Sequence, residues 1–114
     1  MDAVPGARGA VFCDAQGEAV SSVGASGRES PETLDDYELR VTGAQLATPL
    51  DQVEQAREHL GAARELVVRG PGETLVVQLL KDGYYLVVCL APSALAARAL
   101  PPSRTLASRL TTEL

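Results

Sequence analysis

Tryptophan is absent from this 114-residue chain, which carries one Phe, three Tyr, one His and two Cys. So few rings exclude an aromatic core, and the interior is expected to be aliphatic, built from Leu, Val and Ala. Positive charge is scarce as well: nine Arg and Lys81 are scattered against fifteen acids, for a formal net charge of −5. Eight of the acids lie between Glu29 and Glu58 beside two basic residues. A phosphate backbone is repelled there, so neither nucleic acid nor an anionic membrane is expected as a partner. No apolar run approaches the ~20 residues that span a bilayer, and no secretory n-region or h-region stands ahead of the first Cys. Cys13 and Cys89 are far apart and lack CxxC spacing, the pattern of reduced thiols in a cytoplasmic protein.

Groups able to do chemistry are equally few. His59 stands near the end of an expected helix, where an imidazolium meets the last carbonyls favourably. Cys13 and Cys89 sit inside apolar stretches, so each reads as a small buried filler, and together with one His they do not make a zinc site. Asp35, Asp36 and Glu38 belong to the opening turns of a helix, where the dipole favours acids. Gly70-Pro71-Gly72 joins strand to strand and is not followed by GK[ST], which excludes a phosphate cradle of the P-loop kind. No catalytic, metal-binding or cofactor-binding residue is assigned, and no cofactor is expected.

What is present is an ordered set of short elements. MDAVPGA, residues 1–7, reads as a loose lead-in. Two short strands follow at 9–13 and 18–23, joined by the hairpin chemistry of Asp14 and Gly17. A polar loop over 24–33 then delivers the chain to a helix, with Ser30 or Thr33 as candidate cap. Residues 34–60 show two apolar faces at helical spacing: Leu34, Tyr37, Val41 and Ala44 on one, and Leu39, Leu46, Leu50, Val53 and Leu60 on the other. The alternation over 37–42 suits a strand as well, and a helix is preferred, with a kink or restart at Thr48-Pro49 where Thr48 serves as cap. Three antiparallel strands come next, in ARELVVRG, ETLVVQLL and YYLVVCL, the last two separated by Lys81-Asp82-Gly83. A final helix is expected after Pro92, capped by Ser93 and broken at Pro101-Pro102. The succession strand-strand-helix-strand-strand-strand-helix predicts an α+β fold with one five-stranded antiparallel sheet in a single domain over 1–114.

GAVFCDAQGEAVSSVG resembles the opening hairpin of the Roadblock/dynein light-chain family, and ELVVRGPGETLVVQLLKDGYYLVVCLAP resembles its three-strand meander. The likeness runs over residues 8–112 and is greatest to bacterial members of the MglB and MglC kind. Two departures stand out: the helix that usually precedes the first strand is missing, and Pro101-Pro102 shortens the last helix. The missing helix is expected to leave apolar surface for a partner chain to cover.

The resemblance implies a homodimer in which the third strand, about 63–69, pairs with its copy while one face of the long helix packs across the two-fold axis. The interface is expected at Glu65, Val67, Arg69, Leu39, Leu46, Leu50 and Val53. It further implies a non-catalytic regulatory or adaptor protein of a bacterial Ras-like small GTPase pathway, in cell polarity or gliding motility. Its partners would be the GTPase, a paralogous Roadblock protein, or both. A GTPase-activating protein that reorganises the GTPase's own site is the alternative, and a small-molecule sensor domain the second one.

Overall fold

A computed structural model describes residues 4–24 and 35–114. Its elements in chain order are β1 (Ala7–Cys13), β2 (Ala19–Gly24), α1 (Asp36–Gln45), α2 (Ala47–Gln55), α3 (Arg57–Leu60), β3 (Glu65–Arg69), β4 (Thr74–Leu79), a 3-10 turn at Lys81–Gly83, β5 (Tyr85–Leu90) and α4 (Ala96–Thr112). The strands form one five-stranded sheet in the order β2-β1-β5-β4-β3, and every neighbouring pair is antiparallel. The α+β architecture read from the sequence is therefore the one observed.

Helices cover both faces of the sheet, and this explains the unbroken apolar runs of its central strands. All six residues of β5 are buried. Tyr85, Val87 and Cys89 point into the layer beneath α1 and α2, together with Val11, Cys13, Val77, Leu39, Leu46 and Leu50. Leu86, Val88 and Leu90 point the other way, toward Val4, Ala10, Phe12, Val76, Ala96 and Ala99. A strand packed on both sides has no polar face to alternate with. Residues separated by two along β5 thus share a layer, and adjacent ones do not.

The first hairpin turns where the sequence places its turn chemistry. Asp14 Oδ1 accepts from the backbone N–H groups of Gln16 and Glu18, each at 3.0 Å. Gly17 adopts φ +86°, and a Cβ there would lie 3.0 Å from Ala47 Cβ, so the turn needs glycine for both conformation and clearance.

The region after β2 is helical, as preferred, but in three pieces. Asp35 caps α1 by accepting from Glu38 N–H at 2.8 Å; Ser30 and Thr33, the candidate caps, lie outside the described residues, as do Leu34 and most of the expected loop. The chain then breaks at Leu46, two residues before the expected point. Thr48 is not a cap, because it already lies inside α2, whose cap position is Leu46. Pro49 takes the third position of α2, where a backbone N–H has no partner within the helix, so no bond is lost. The next donor, Leu50 N–H, reaches Leu46 O at 3.0 Å.

Three further expectations are corrected. The lead-in is packed from Val4 onward: Val4 is buried beside α4, and Ala7 N–H donates to Val4 O. Ser93 does not cap the last helix, whose cap position is Leu95. Nor do Pro101 and Pro102 break it, since α4 runs for 17 residues through both. Two internal hydrogen bonds are forgone there. Packing compensates on either side of the pair, with Ala96, Ala99 and Ser103 buried against the sheet.

Candidate protein interaction surface

The sheet leaves two strand edges, β2 and β3, and the β3 edge is the candidate surface. β3 ends the sheet order, so one side of its backbone pairs with β4 and the other has no strand beside it. Which groups face outward follows from the ladder. Leu79 N–H donates to Arg64 O at 2.9 Å, and Gly70 N–H donates to Glu73 O at 2.8 Å, one step beyond each end of the β3–β4 register. Bonded and non-bonded pairs alternate along an antiparallel ladder. Residues 64, 66, 68 and 70 therefore turn their N–H and C=O groups toward β4, whereas Glu65, Val67 and Arg69 turn theirs to the open edge.

Side chains divide between the two faces. Val67 packs into the α4 layer, and Glu65 and Arg69 share its face by the two-residue period. Leu66 packs into the opposite layer with Val68, which is 40% exposed, on the same side. Glu65 is held firmly: Arg104 of α4 donates to its Oε1 and Oε2 through Nε and Nη2, both at 2.9 Å, and Gln78 Nε2 donates to Oε1 at 2.6 Å. The Arg104 guanidinium holds the Glu65 carboxyl below the usual glutamate range against the opposing effect of burial, which comes next in size, and the Gln78 amide adds a lesser lowering. This clamp fastens the C-terminal helix to the edge strand. Beside it lies an open groove of about 760 Å³ between β3–β4 and α4, lined by Arg64, Gln78, Lys81, Arg104 and Ser108 among others.

Seven residues are expected at an interface, and the structure separates them. Glu65, Val67 and Arg69 lie together on the edge. Leu39, Leu46 and Leu50 are buried against the chain's own sheet and have almost no surface left to offer. Val53 is half-buried and lines a second cleft with Leu50, Asp51, Glu54 and Arg57. The outward stripe of α1 is instead the other face, with Tyr37 75% exposed, Val41 half-buried and Ala44 exposed. Sequence reasoning missed Arg104, which it placed beyond a helix break, and Gln78, which it read only as a strand residue.

The reactive side chains are dispersed. Cys13 and Cys89 are fully buried, in β1 and β5, and His59 is exposed on α3. Burial raises the Cys13 thiol and, with the Glu73 carboxylate as the next cause, pushes that of Cys89 up to about 12. Tyr85 donates from its hydroxyl to Gly43 O at 2.7 Å, a buried bond that ties β5 to α1. Among the described residues no group of three or more His, Cys, Asp or Glu is arranged to hold a metal ion. No helix among them is long and apolar enough to cross a membrane.

A two-layered helical cover on a five-stranded antiparallel sheet of this order is the Roadblock fold. The Roadblock/LC7 domain from Streptomyces avermitilis superposes with a TM-score of 0.68 at 21% identity, covering 94% of this chain and 88% of that one. The gliding protein MglB from Thermus thermophilus matches with a TM-score of 0.76 at 19% identity, over 94% of this chain and 77% of its own. MglC from Myxococcus xanthus matches with a TM-score of 0.69 at 22% identity, over 99% and 91%. At the level of sequence no family model matches, and no curated protein does. The likeness is thus one of fold.

Proposed function

We propose that this chain is a Roadblock-family regulator of the MglB and MglC kind, which forms a homodimer and acts by binding protein rather than by chemistry of its own. Its place would be a bacterial Ras-like small GTPase pathway of polarity or gliding motility, where it engages the GTPase or a second Roadblock protein. The observation that carries this reading is the β3 edge. Three residues there present backbone donors and acceptors outward, beside an apolar side chain, and such an edge is an association surface. The fold likeness to a gliding protein supports the pathway, and the burial of both thiols away from His59 supports a binding role.

Two measurements test it. Val67→Pro removes an outward N–H while leaving the β3–β4 bonds in place, so light scattering is expected to show the parent as a dimer and the variant as a monomer. A variant that stays dimeric overturns the edge assignment. Single-turnover GTP hydrolysis by a bound Ras-like GTPase is expected to be unchanged by a molar excess of this protein. Strong acceleration would replace the adaptor reading by that of a GTPase-activating protein.

A further inference from the structure

Resting on the proposal that β3 pairs with a second copy of itself, we infer that the pairing has one register, with the two-fold axis through Val67 and Glu65 of each copy facing Arg69 of the other. The backbone limits the choices first. Only residues 65, 67 and 69 present outward hydrogen-bonding groups, so these must oppose one another, and any axis lying between two residues would set an outward group against an inward one. An axis through Glu65 or Arg69 would set that charge against its own copy, so axes through Leu66, Val67 or Val68 remain.

The side chains then choose among the three. An axis through Leu66 opposes Glu65 to Val67 and Arg69 to Ala63, outside the strand. An axis through Val68 opposes Glu65 to Pro71, which has no N–H to donate. The axis through Val67 alone uses all five residues of the strand: Val67 meets Val67 on the α4 face, and Leu66 meets the half-exposed Val68 on the other.

Charge complementarity points the same way. Within one copy Glu65 and Arg69 are four residues apart on a strand, roughly 13 Å, too far to pair. Arg69 is exposed and makes no ion pair among the described residues. Glu65 is already fixed by Arg104 and Gln78, with two donors on Oε1 and one on Oε2. A carboxylate offers about four acceptor positions, so one on Oε2 remains for a further guanidinium. The axis through Val67 brings Arg69 of the second copy to it, twice over by symmetry.

Single cysteines and a short bismaleimide read the register directly, because Cys13 and Cys89 are fully buried and do not compete. Val67→Cys is expected to cross-link to itself as a covalent dimer. Glu65→Cys and Arg69→Cys are each expected to fail alone, since like positions lie far apart across the axis, and to cross-link when mixed. As a second reading, Arg69→Glu sets like charges opposite one another and is expected to weaken the dimer roughly tenfold or more, whereas Arg69→Lys retains it. A dimer that cross-links through Leu66→Cys or Val68→Cys instead overturns the register and leaves the edge pairing standing. A dimer that cross-links at none of these positions overturns the edge as interface, and a parent chain that is monomeric in light scattering overturns the pairing altogether.

Discussion

Replacing Gly43 with Ala tests how closely α1 is seated on the sheet. A Cβ at this position would lie 2.6 Å from Cys13 Sγ and 3.1 Å from Val11 Cγ1, whereas ordinary contact begins at 3.4 Å. Either the thiol or the helix must therefore give by several tenths of an ångström. The thiol is fully buried in β1 and has little room. If the helix lifts, the 2.7 Å bond from Tyr85 to Gly43 O is stretched beyond useful length. Overpacking of this kind costs about 1–3 kcal/mol, and the gain from Gly to Ala inside a helix offsets about 1 kcal/mol of it. A net loss of up to about 2 kcal/mol is expected, equivalent to a fall in Tm of roughly 4–8 °C per kcal/mol.

The same substitution changes sign in a Cys13→Ala background. With Sγ removed the new methyl group occupies vacated space, so Gly43→Ala is expected to be neutral or to stabilise by about 0.5–1 kcal/mol there. The coupling energy of the pair is then about 2 kcal/mol, well outside the additivity of independent sites. Urea unfolding followed by far-UV circular dichroism at one fixed protein concentration measures all four corners of the cycle; the chain has no Trp for fluorescence. Additive effects within about 0.5 kcal/mol would refute the close approach of α1 to β1.

Tyr85→Phe removes the donor to Gly43 O and is expected to cost about 1 kcal/mol in the same assay; no loss would mean that the buried bond contributes nothing net. Because Arg104 holds the Glu65 carboxyl low, the resulting stability is present above the ordinary glutamate value near pH ~4.3 and is lost as pH falls through the lowered one. The stability gap between the parent and Arg104→Ala should accordingly be constant near neutrality and close in acid, and a gap that widens in acid would contradict the clamp. Both cysteines should resist a thiol-reactive disulfide reagent at pH about 8 in the folded protein and react fully in urea, since burial raises both thiols. The Cys13→Ala, Cys89→Ala double variant should keep its protein binding at temperatures where it is folded.

Much of this fold was legible because its signals are local. Asp14 and Gly17 specify the first hairpin within five residues of chain, and the Lys81-Asp82-Gly83 turn is marked by residues that tolerate its conformation, Asp82 at φ +59° and Gly83 at φ +80°. The runs in β4 and β5 announced strands buried on both faces. The strand that carries Glu65, Val67 and Arg69 could be read from a β-rich segment between turns, whereas its place at an edge was implied only by the family resemblance. What tertiary structure alone decided is which surface each element turns inward. The helical region carries two apolar faces, and its period cannot tell Leu39, Leu46 and Leu50 from Tyr37 and Val41; the sheet opposite them does, through Gly43 lying against Cys13 and through the bond from Tyr85, 42 residues further on. Pro101 and Pro102 read locally as a helix break, yet burial of Ala96, Ala99 and Ser103 keeps α4 continuous and carries Arg104 to Glu65, 39 residues away. Turns and periods act over a few residues, whereas face selection and ion pairing depend on groups brought together only by folding.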